Sequence, residues 1–169
     1  MASEPQTGFL LRTLAASKPG GRFIELGTGT GVGAAWLLDG MDLASRLDSV
    51  DNDPEATAVA RRHLGGDPRA KWHLADGADF LAGVPPSSAD FIFADAWPGK
   101  FTHLDLALSK LRPGGIYLVD DLLPQPNWPA DHPPKVSALI AQLESRAGFL
   151  ATRLDWASGL MLLVRAWSD

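Results

Sequence analysis

Acidic side chains recur in this sequence where short apolar stretches end. They are Glu25, Asp51, Asp76, Asp95 and the pair Asp120-Asp121. A carboxylate can accept hydrogen bonds from hydroxyl and amino groups, bind a divalent cation, or take a proton from a reacting group. If the apolar stretches are parallel strands, their carboxyl ends share one edge of a sheet, where open α/β sheets bind ligands. The acids therefore predict one ligand site, and their summed charge favours a cationic ligand.

The first acid stands directly before a glycine-rich turn, which reads ELGTGTGVG over residues 25–33. Glycine accepts a positive φ and lets a ligand approach the backbone. One cofactor pattern for such a turn, the dinucleotide motif, can be threaded through Gly29, Gly31 and Ala34. It would place a pyrophosphate beside Glu25, which would repel it. An NAD(P)-dependent oxidoreductase is thus one alternative, although it lacks a recognisable catalytic Tyr-Lys or His-Asp arrangement. A second alternative is a strand–helix turn that binds no ligand.

The acid and three of the glycines, Glu25, Gly27, Gly29 and Gly31, resemble motif I of the class I S-adenosylmethionine (SAM) methyltransferases. In that family the acid lies near the amino-acid end of the cofactor. The resemblance implies that Asp51 binds the ribose hydroxyls and that Asp76 accepts a hydrogen bond from the adenine amino group. The alternative for both is a capping role. The implied cofactor-binding residues are Glu25, Gly27, Thr28, Gly29, Gly31, Asp51, Asn52, Asp76, Gly77, Asp95 and Trp97.

A second resemblance concerns the later acids. The segment from Asp95 to Lys100, together with Asp120-Asp121, is similar to the metal-dependent O-methyltransferases of the catechol and caffeoyl-CoA type. The similarity implies a metal site formed by Asp95, Asp120 and Asp121, for which Mg²⁺ is suited because its ligands are oxygens. It also implies that Asp95 and Lys100 are the catalytic residues, with Lys100 taking the proton of the substrate hydroxyl. His103 is a reserve base.

The sequence departs from that metal-site pattern in two places. Pro98-Gly99 is inserted, so that Lys100 follows Asp95 by five residues rather than three. Asp121 stands where the family has asparagine. Three carboxylates exceed the charge of one divalent ion, so one would have to turn away or take up a proton. The alternative is that Asp95 and Asp120 only contact SAM and cap loops.

Alternating strand and helix patterns must position these residues. The predicted strands cover residues 22–26, 47–51, 70–75, 90–94 and 116–119, followed by 149–156 and 160–166. Five strand–helix units imply a parallel sheet. The turn at Ser158-Gly159 is too short for a parallel crossover, so the last two strands form an antiparallel pair. The methyltransferase resemblance implies an α/β, doubly wound, Rossmann-like sheet in the order 3-2-1-4-5-7-6, with strand 7 antiparallel.

Two proline- and glycine-rich segments interrupt this alternation. Residues 112–115, Arg-Pro-Gly-Gly, are predicted to separate the fifth helix from its strand. Residues 123–134 contain five prolines and are predicted to form a loop. Because this loop follows the fifth strand, it emerges at the ligand-binding edge. Its Trp128 is either a substrate wall or an anchor that packs the loop onto the protein.

Length and composition limit the classes of protein. The 169 residues suit one domain, residues 1–169. The absence of cysteine excludes disulfides and thiolate metal sites. A net charge of −5 argues against nucleic-acid binding. No stretch approaches the roughly 20 apolar residues of a membrane helix, and no signal peptide is visible. We therefore expect a cytoplasmic protein that binds neither nucleic acid nor membrane.

These inferences predict SAM-dependent methyl transfer to an oxygen of a small molecule. The alternative from another class is a SAM-binding module or pseudoenzyme. Enzymes of the family often build the substrate pocket from extra N-terminal helices, and little sequence precedes the first predicted strand. A partner chain would then supply the missing walls, and a homodimer is the simplest such assembly.

Overall fold

The structure, a computed structural model, describes residues 4–126 and 128–167. Among these residues seven strands form one sheet. The strands are β1 (Arg22–Leu26), β2 (Arg46–Asp51), β3 (Ala70–Leu74), β4 (Ala89–Ala94), β5 (Leu111–Val119), β6 (Phe149–Leu154) and β7 (Leu160–Arg165). Their order is β3-β2-β1-β4-β5-β7-β6. β7 runs antiparallel to both of its neighbours, and the other pairings are parallel. The predicted sheet is confirmed.

Helices cover both faces of the sheet. They are α1 (Pro5–Ala16), α2 (Val32–Gly40), α3 (Pro54–Leu64), α4 (Gly77–Gly83), α5 (Leu104–Lys110) and α6 (His132–Glu144). α1 and α2 pack on one face through Leu11 and Leu37. The last three helices pack on the other face through residues such as Leu81 and Leu139. None of the helices among the described residues is long and apolar enough to cross a membrane.

The central strand β4 is buried on both faces of the sheet, which therefore needs helices on each side. All six of its residues are buried. Side chains alternate between the faces of a strand, so Phe91 and Phe93 join the core beneath α1 and α2 while Ile92 and Ala94 join the opposite core. A strand buried on both sides reads as a continuous apolar run. This run ends at Ala94, which leaves Asp95 as the first polar group at the sheet edge.

Two predicted boundaries are wrong. β5 begins at Leu111, whereas residues 112–115 were expected to lie outside it. Leu111 pairs with Ala89 and Ile116 pairs with Phe91, so the extra residues bulge out of the ladder. Gly114, with φ +75°, permits this bulge. α6 begins at His132, inside the expected loop. Prolines are accepted in a first helical turn because its N–H groups have no helical partner.

Candidate active site

The glycine turn between β1 and α2 is shaped by three glycines with positive φ, namely Gly27, Gly29 and Gly31. A Cβ on Gly27 would lie 2.8 Å from the backbone oxygen of Asp95, and one on Gly31 would lie 2.9 Å from Cβ of Ala60. These two glycines therefore permit close packing of the protein on itself. Gly29 has no neighbour within 4 Å of the same position. Its open side faces a cavity of about 340 Å³ that is lined by residues 27–30, Glu25 and Asp95.

Glu25 is the buried acid of that cavity, with 1% of its surface exposed. Ser49 Oγ donates a hydrogen bond to its Oε2 at 2.5 Å, and Thr28 Oγ1 lies 2.6 Å from the same serine oxygen. The other carboxyl oxygen, Oε1, has no partner among the described residues. Burial raises the pKa of Glu25 to about 8, against the opposing effect of the Ser49 hydrogen bond. Oε1 lies against the start of α2, where a Cβ on Gly33 would be 2.3 Å from it.

A second cavity, of about 470 Å³, lies beside the first, and both are lined by Gly27. Its other predicted lining residues are Asp51, Asn52, Asp76, Gly77 and Trp97. The two cavities therefore meet at the glycine turn and together extend across the carboxyl ends of β1 to β4. All of the residues predicted to bind a cofactor, apart from Gly31, line one or the other.

Asp51 and Asp76 differ in how they are held. Asp51 accepts a hydrogen bond from the Gly29 N–H at 2.7 Å and one from the Asp53 N–H at 2.9 Å. It links the end of β2 to the glycine turn. The cap of α3 is Asp53 instead. Asp76 does cap α4, through its Oδ1. It also lines the second cavity, so that capping and ligand binding are compatible there.

Asp95 and Asp120 stand at neighbouring strand ends. Ala94 pairs with Val119 in the β4–β5 ladder, and the two acids follow directly. Asp120 accepts hydrogen bonds from the Ser158 hydroxyl and from the Asp121 N–H. Burial raises the pKa of both acids, in Asp95 to about 7. A buried carboxyl group, that of Asp120, and a half-buried one, that of Asp95, therefore stand at adjacent strand ends. The role of Ser158 could not be anticipated, because it lies on the distant turn between β6 and β7.

Lys100 is held next to these acids by a tight turn. Three successive N–H groups, from Lys100 to Thr102, donate to the Trp97 carbonyl at 3.0–3.1 Å. Gly99, in the inserted Pro98-Gly99, has φ +92° and its carbonyl accepts a hydrogen bond from the Tyr117 hydroxyl. Lys100 is 5% exposed. The insertion therefore folds into an anchored loop. Lys100 itself lines neither of the two cavities, and among the described residues its Nζ forms no ion pair within 4.0 Å.

The predicted three-carboxylate metal site is not assembled. Within residues 4–126 and 128–167, no group of three or more His, Cys, Asp or Glu side chains could hold a metal ion. One oxygen of Asp120 already accepts two hydrogen bonds. Asp121 turns away from the strand direction with φ +65°, and its buried Oδ1 has no partner among the described residues. The donor set therefore does not fit Mg²⁺ held by all three acids.

An aromatic row borders the second cavity. Ring centroids are 5.4 Å apart for Trp97 and Phe101, 5.1 Å for Phe101 and His132, and 4.6 Å for Trp128 and His132. Lys135 on α6 places its Nζ 4.7 Å from the centroid of the Trp97 ring. The row connects the loop after β4 with the start of α6. Trp128 is thus an anchor of its loop, and it reaches the cavity only through its neighbours.

The reserve base has a different position. His103 is exposed, precedes α5 with φ +56°, and lines neither of the two cavities. His132, which the sequence patterns did not indicate, belongs to the aromatic row through its contact with Phe101. Its only sequence signal was its place between Asp131 and two prolines, which resembles an ordinary helix start.

Comparison with known proteins gives relatives over most of the chain. A family model described as a methyltransferase domain matches residues 24–122. A protein of Mycolicibacterium vanbaalenii named "Putative O-methyltransferase" is 32% identical over 123 residues, which cover 70% of this chain and 54% of that protein. The similarly named ML1075 of Mycobacterium leprae is 34% identical over 123 residues, covering 70% and 55%. The chain thus spans about half the length of the curated relatives it matches.

Solved structures share the fold. A Corynebacterium glutamicum protein superposes with a TM-score of 0.86 at 24% identity, over 100% of this chain and 84% of the other. The O-methyltransferase TomG of Streptomyces achromogenes, solved with SAM, gives 0.81 at 24%, over 99% and 82%. An O-methyltransferase of Bacillus cereus, solved with S-adenosylhomocysteine (SAH), gives 0.79 at 22%, over 95% and 81%.

The segment matched by the family model runs from β1 to the residue after Asp121. It contains the glycine turn, both cavities and all of the acids that end β1 to β5. Because this segment makes up more than half of the sequence, the chain belongs to the methyltransferase domain family.

Proposed function

We propose that this protein transfers the methyl group of SAM to an oxygen of a small molecule. The observation that carries the proposal is the pair of joined cavities with an acid in each. Glu25 presents a buried carboxyl oxygen without a partner in the first, and Asp51 is fixed by two backbone N–H groups in the second. SAM carries an ammonium group at one end and a ribose with two hydroxyls further along. Glu25 and Asp51 follow the same order along the sheet edge, at the ends of β1 and β2.

In this proposal the amino-acid end of SAM binds beside Glu25, and the open side of Gly29 gives it room. The ribose hydroxyls donate to Asp51. The adenine lies in the second cavity against Asp76, Gly77 and the half-exposed Trp97. The sulfonium then lies near Gly27, where the cavities meet, with Asp95 on its border. The structures of TomG with SAM and of the Bacillus cereus enzyme with SAH support this choice of cofactor.

The chemistry asks little of the protein, since a sulfonium is already a good leaving group. The acceptor oxygen must be aligned with the methyl carbon and the sulfur. In this proposal its proton passes to the Asp95 carboxylate rather than to Lys100, to which the resemblance assigned it. The new oxygen–carbon bond forms, and the electron pair of the carbon–sulfur bond goes to sulfur, which gives SAH. A pKa raised to about 7 suits Asp95 to this task near neutral pH. Lys100, buried beside it, completes the catalytic pair.

We further propose that residues 1–169 act as one domain in the cytoplasm and that the acceptor is a small molecule. The predicted homodimer stays a prediction. The acidic net charge of −5 supports the expectation that nucleic acid is not the substrate.

Binding calorimetry with SAM, SAH and NADH tests the cofactor. SAM and SAH should bind with low-micromolar affinity and NADH should not.

Asp51→Asn should weaken SAM binding by about 2–4 kcal/mol, since a hydrogen bond to a charged acceptor contributes about 1.5–3 kcal/mol. Asp53→Asn, which alters only the cap of α3, is the matched control and should leave the affinity unchanged. Binding of NADH without SAM would reject the proposal. SAM binding without turnover of any hydroxylated acceptor would favour the module or pseudoenzyme.

A further inference from the structure

The helix that follows the glycine turn, α2, begins without an acidic partner of its own. Its N-cap is Gly31, and its first turn reads Val-Gly-Ala-Ala, without an acid. By contrast, α3 and α4 each begin with an aspartate cap and have a further acid in the first turn. The free N–H groups at a helix start carry partial positive charge, which a nearby anion stabilises. Any negative group at the start of α2 therefore comes from another element.

The carboxyl group of Glu25, on β1, lies against this first turn. A Cβ on Gly33, the second residue of α2, would be 2.3 Å from Glu25 Oε1. The backbone N–H of Ala34, the next residue, is one of the groups that lower the pKa of Glu25. Among the described residues no donor reaches Oε1 with hydrogen-bond geometry. Contact with the helix start, rather than a hydrogen bond, therefore defines the place of this oxygen.

Gly33 leaves the space that this oxygen occupies. Any other residue would place its Cβ in overlap with Glu25 Oε1 and 3.1 Å from Cε1 of Phe93. The backbone does not demand a glycine at this position, because the φ of Gly33 is not positive. Alanine is also the better helix former. The close approach of the Glu25 carboxyl group is therefore the reason that the structure offers for a glycine here.

The other carboxyl oxygen, Oε2, is held by a chain of two hydroxyl groups. Ser49 on β2 is 0% exposed and donates to Oε2 at 2.5 Å. Because a hydroxyl has only one proton, the Ser49 oxygen then accepts the hydrogen bond that joins it to Thr28 Oγ1, at 2.6 Å. Thr28 belongs to the glycine turn. The carboxyl group of Glu25 is thus fixed to β2 and the turn through one oxygen and to α2 through the other.

We propose that Gly33 and Ser49 are positioning residues for the cofactor: Gly33 leaves the space for one oxygen of the Glu25 carboxyl group, and Ser49 holds the other. Glu25, Gly33 and Thr28 line the same cavity, so the carboxyl group is kept where the ammonium group of SAM binds. The inference rests on the proposed function, and it extends that proposal from the acid to the residues that place it.

The contact between Gly33 and Glu25 can be tested without any cofactor. Gly33→Ala should lower the thermal midpoint of unfolding in the wild-type protein, since its Cβ overlaps Oε1. In a Glu25→Ala background the same substitution should not lower the midpoint, because the overlapping atom is gone and alanine favours the helix. Gly8→Ala is the matched control, because a Cβ on this glycine of α1 would lie 2.2 Å from Trp36 Nε1. It should lower the midpoint equally in both backgrounds.

The affinity for SAM shows whether this contact serves binding. Gly33→Ala should weaken SAM binding by about tenfold to 100-fold, the range for a hydrogen bond to a charged group. Once Glu25 is replaced by alanine, the same substitution should change the Kd by less than about twofold. Gly8→Ala, outside both cavities, should leave the Kd unchanged. An equal loss of affinity from Gly33→Ala in both backgrounds would mean that the new side chain obstructs SAM directly, which would overturn the role of Gly33.

The role of Ser49 is tested by the pH dependence of SAM binding. Ser49→Ala removes a donor that favours the ionised carboxylate, so the rise of affinity with pH should move about one pH unit higher, and affinity at pH 7 should fall about tenfold. The ionisable groups that also act on Glu25, Asp51 and Asp95, remain in this variant, and both raise the pKa of Glu25. Ser45→Ala is the matched control, because Ser45 is also 0% exposed but forms its hydrogen bonds with groups beside the opposite end of β2. It should keep the wild-type pH profile.

The outcomes separate this inference from the proposed function. An equal loss of thermal midpoint from Gly33→Ala in both backgrounds, or wild-type SAM affinity in that variant, would overturn the role of Gly33. A Ser49→Ala profile that coincides with the wild-type profile would overturn the role of Ser49. Failure of SAM to bind the wild-type protein would instead overturn the proposed function, and the midpoints would still report the contact between Gly33 and Glu25.

Discussion

At the scale of single residues, Glu25 shows how one buried group can be costly for folding and useful for binding. It lies inside β1, between apolar neighbours, and is nearly fully buried. Such burial disfavours the charged carboxylate. Ser49 donates a hydrogen bond to one carboxyl oxygen, Oε2. The other oxygen, Oε1, has no hydrogen-bond partner among the described residues. An ammonium group bound there would favour the ionised carboxylate and so offset the cost of burying it.

The first prediction is that SAM binding depends on pH through Glu25. With a pKa of about 8, the carboxyl group is largely neutral at pH 6 and must lose its proton when the cofactor ammonium binds. Affinity should therefore rise as pH increases, by about tenfold from pH 6 to pH 7, since one pH unit below the pKa changes the ionised fraction tenfold. Calorimetry across this range, in buffers of different ionisation enthalpy, measures both the affinity and the proton released.

Two variants test whether Glu25 is the group that causes this pH dependence. Glu25→Gln should bind SAM weakly and with a flat pH profile. Asp95→Asn is the control for the other acid, and it should keep a rising profile that is shifted to lower pH, because the Asp95 charge is one cause of the raised pKa of Glu25. A wild-type profile without slope, or a slope that disappears in Asp95→Asn and persists in Glu25→Gln, would contradict the assignment to Glu25.

At the scale of elements, the loop after β4 depends on a residue of the neighbouring strand. Tyr117, the only tyrosine of the sequence, is fully buried in β5 and donates its hydroxyl proton to the Gly99 carbonyl. Burial raises the pKa of Tyr117 above its ordinary value, so the phenol stays protonated and remains a donor. One strand thus fixes the loop that carries Lys100, while its own end supplies Asp120.

The second prediction concerns this anchor. Tyr117→Phe should lower the free energy of unfolding by about 1–3 kcal/mol, because the buried carbonyl of Gly99 loses its donor. It should also lower kcat by about tenfold to 100-fold, since small misplacements of reacting groups have effects of that size. The Kd for SAM should change little. Chemical unfolding and steady-state kinetics measure both effects.

A matched control is Ser109→Ala, which removes an exposed side-chain hydrogen bond to the Leu106 carbonyl of α5. Its kcat should equal that of the wild-type protein. If Tyr117→Phe loses stability yet keeps full kcat, the anchor has no part in catalysis.

The elements also show what the sequence could and could not predict. Strand identity and the acids at the strand ends followed from apolar runs and turn residues, which are local signals. The sheet order followed from the methyltransferase resemblance instead. The partners of those acids were not predictable in the same way. Ser49 reaches Glu25 from the neighbouring strand, Ser158 reaches Asp120 from the turn between β6 and β7, and Tyr117 anchors the loop that carries Lys100. Such contacts arise only when the sheet assembles. The sequence did not predict the early start of β5, because Pro113 and Gly114 usually interrupt helices and strands. Here a bulge within the strand accommodates both residues.

At the scale of the whole molecule, two apolar cores lie on opposite faces of one sheet. β4 and β5 contribute to both: Ile92 and Tyr117 face one core, and Phe91 and Leu118 face the other. Neither core can form without these two strands. The site at the carboxyl edge is built from loops that leave the same strands. Folding of either face is therefore coupled to the other and to the site.

The last prediction is that the protein unfolds in one cooperative transition, as the single-domain proposal requires. Leu139→Ala empties part of the core under α6, and Leu37→Ala does so under α2 on the opposite face. Each should lower the free energy of unfolding by about 2–5 kcal/mol, and each should shift the same transition as a whole. SAM at 100 times its Kd should raise that free energy by about 2.7 kcal/mol in all three proteins. Calorimetry, circular dichroism and tryptophan fluorescence should then report the same midpoint. Two resolved transitions, with each variant moving only one of them, would instead show that the faces of the sheet fold independently.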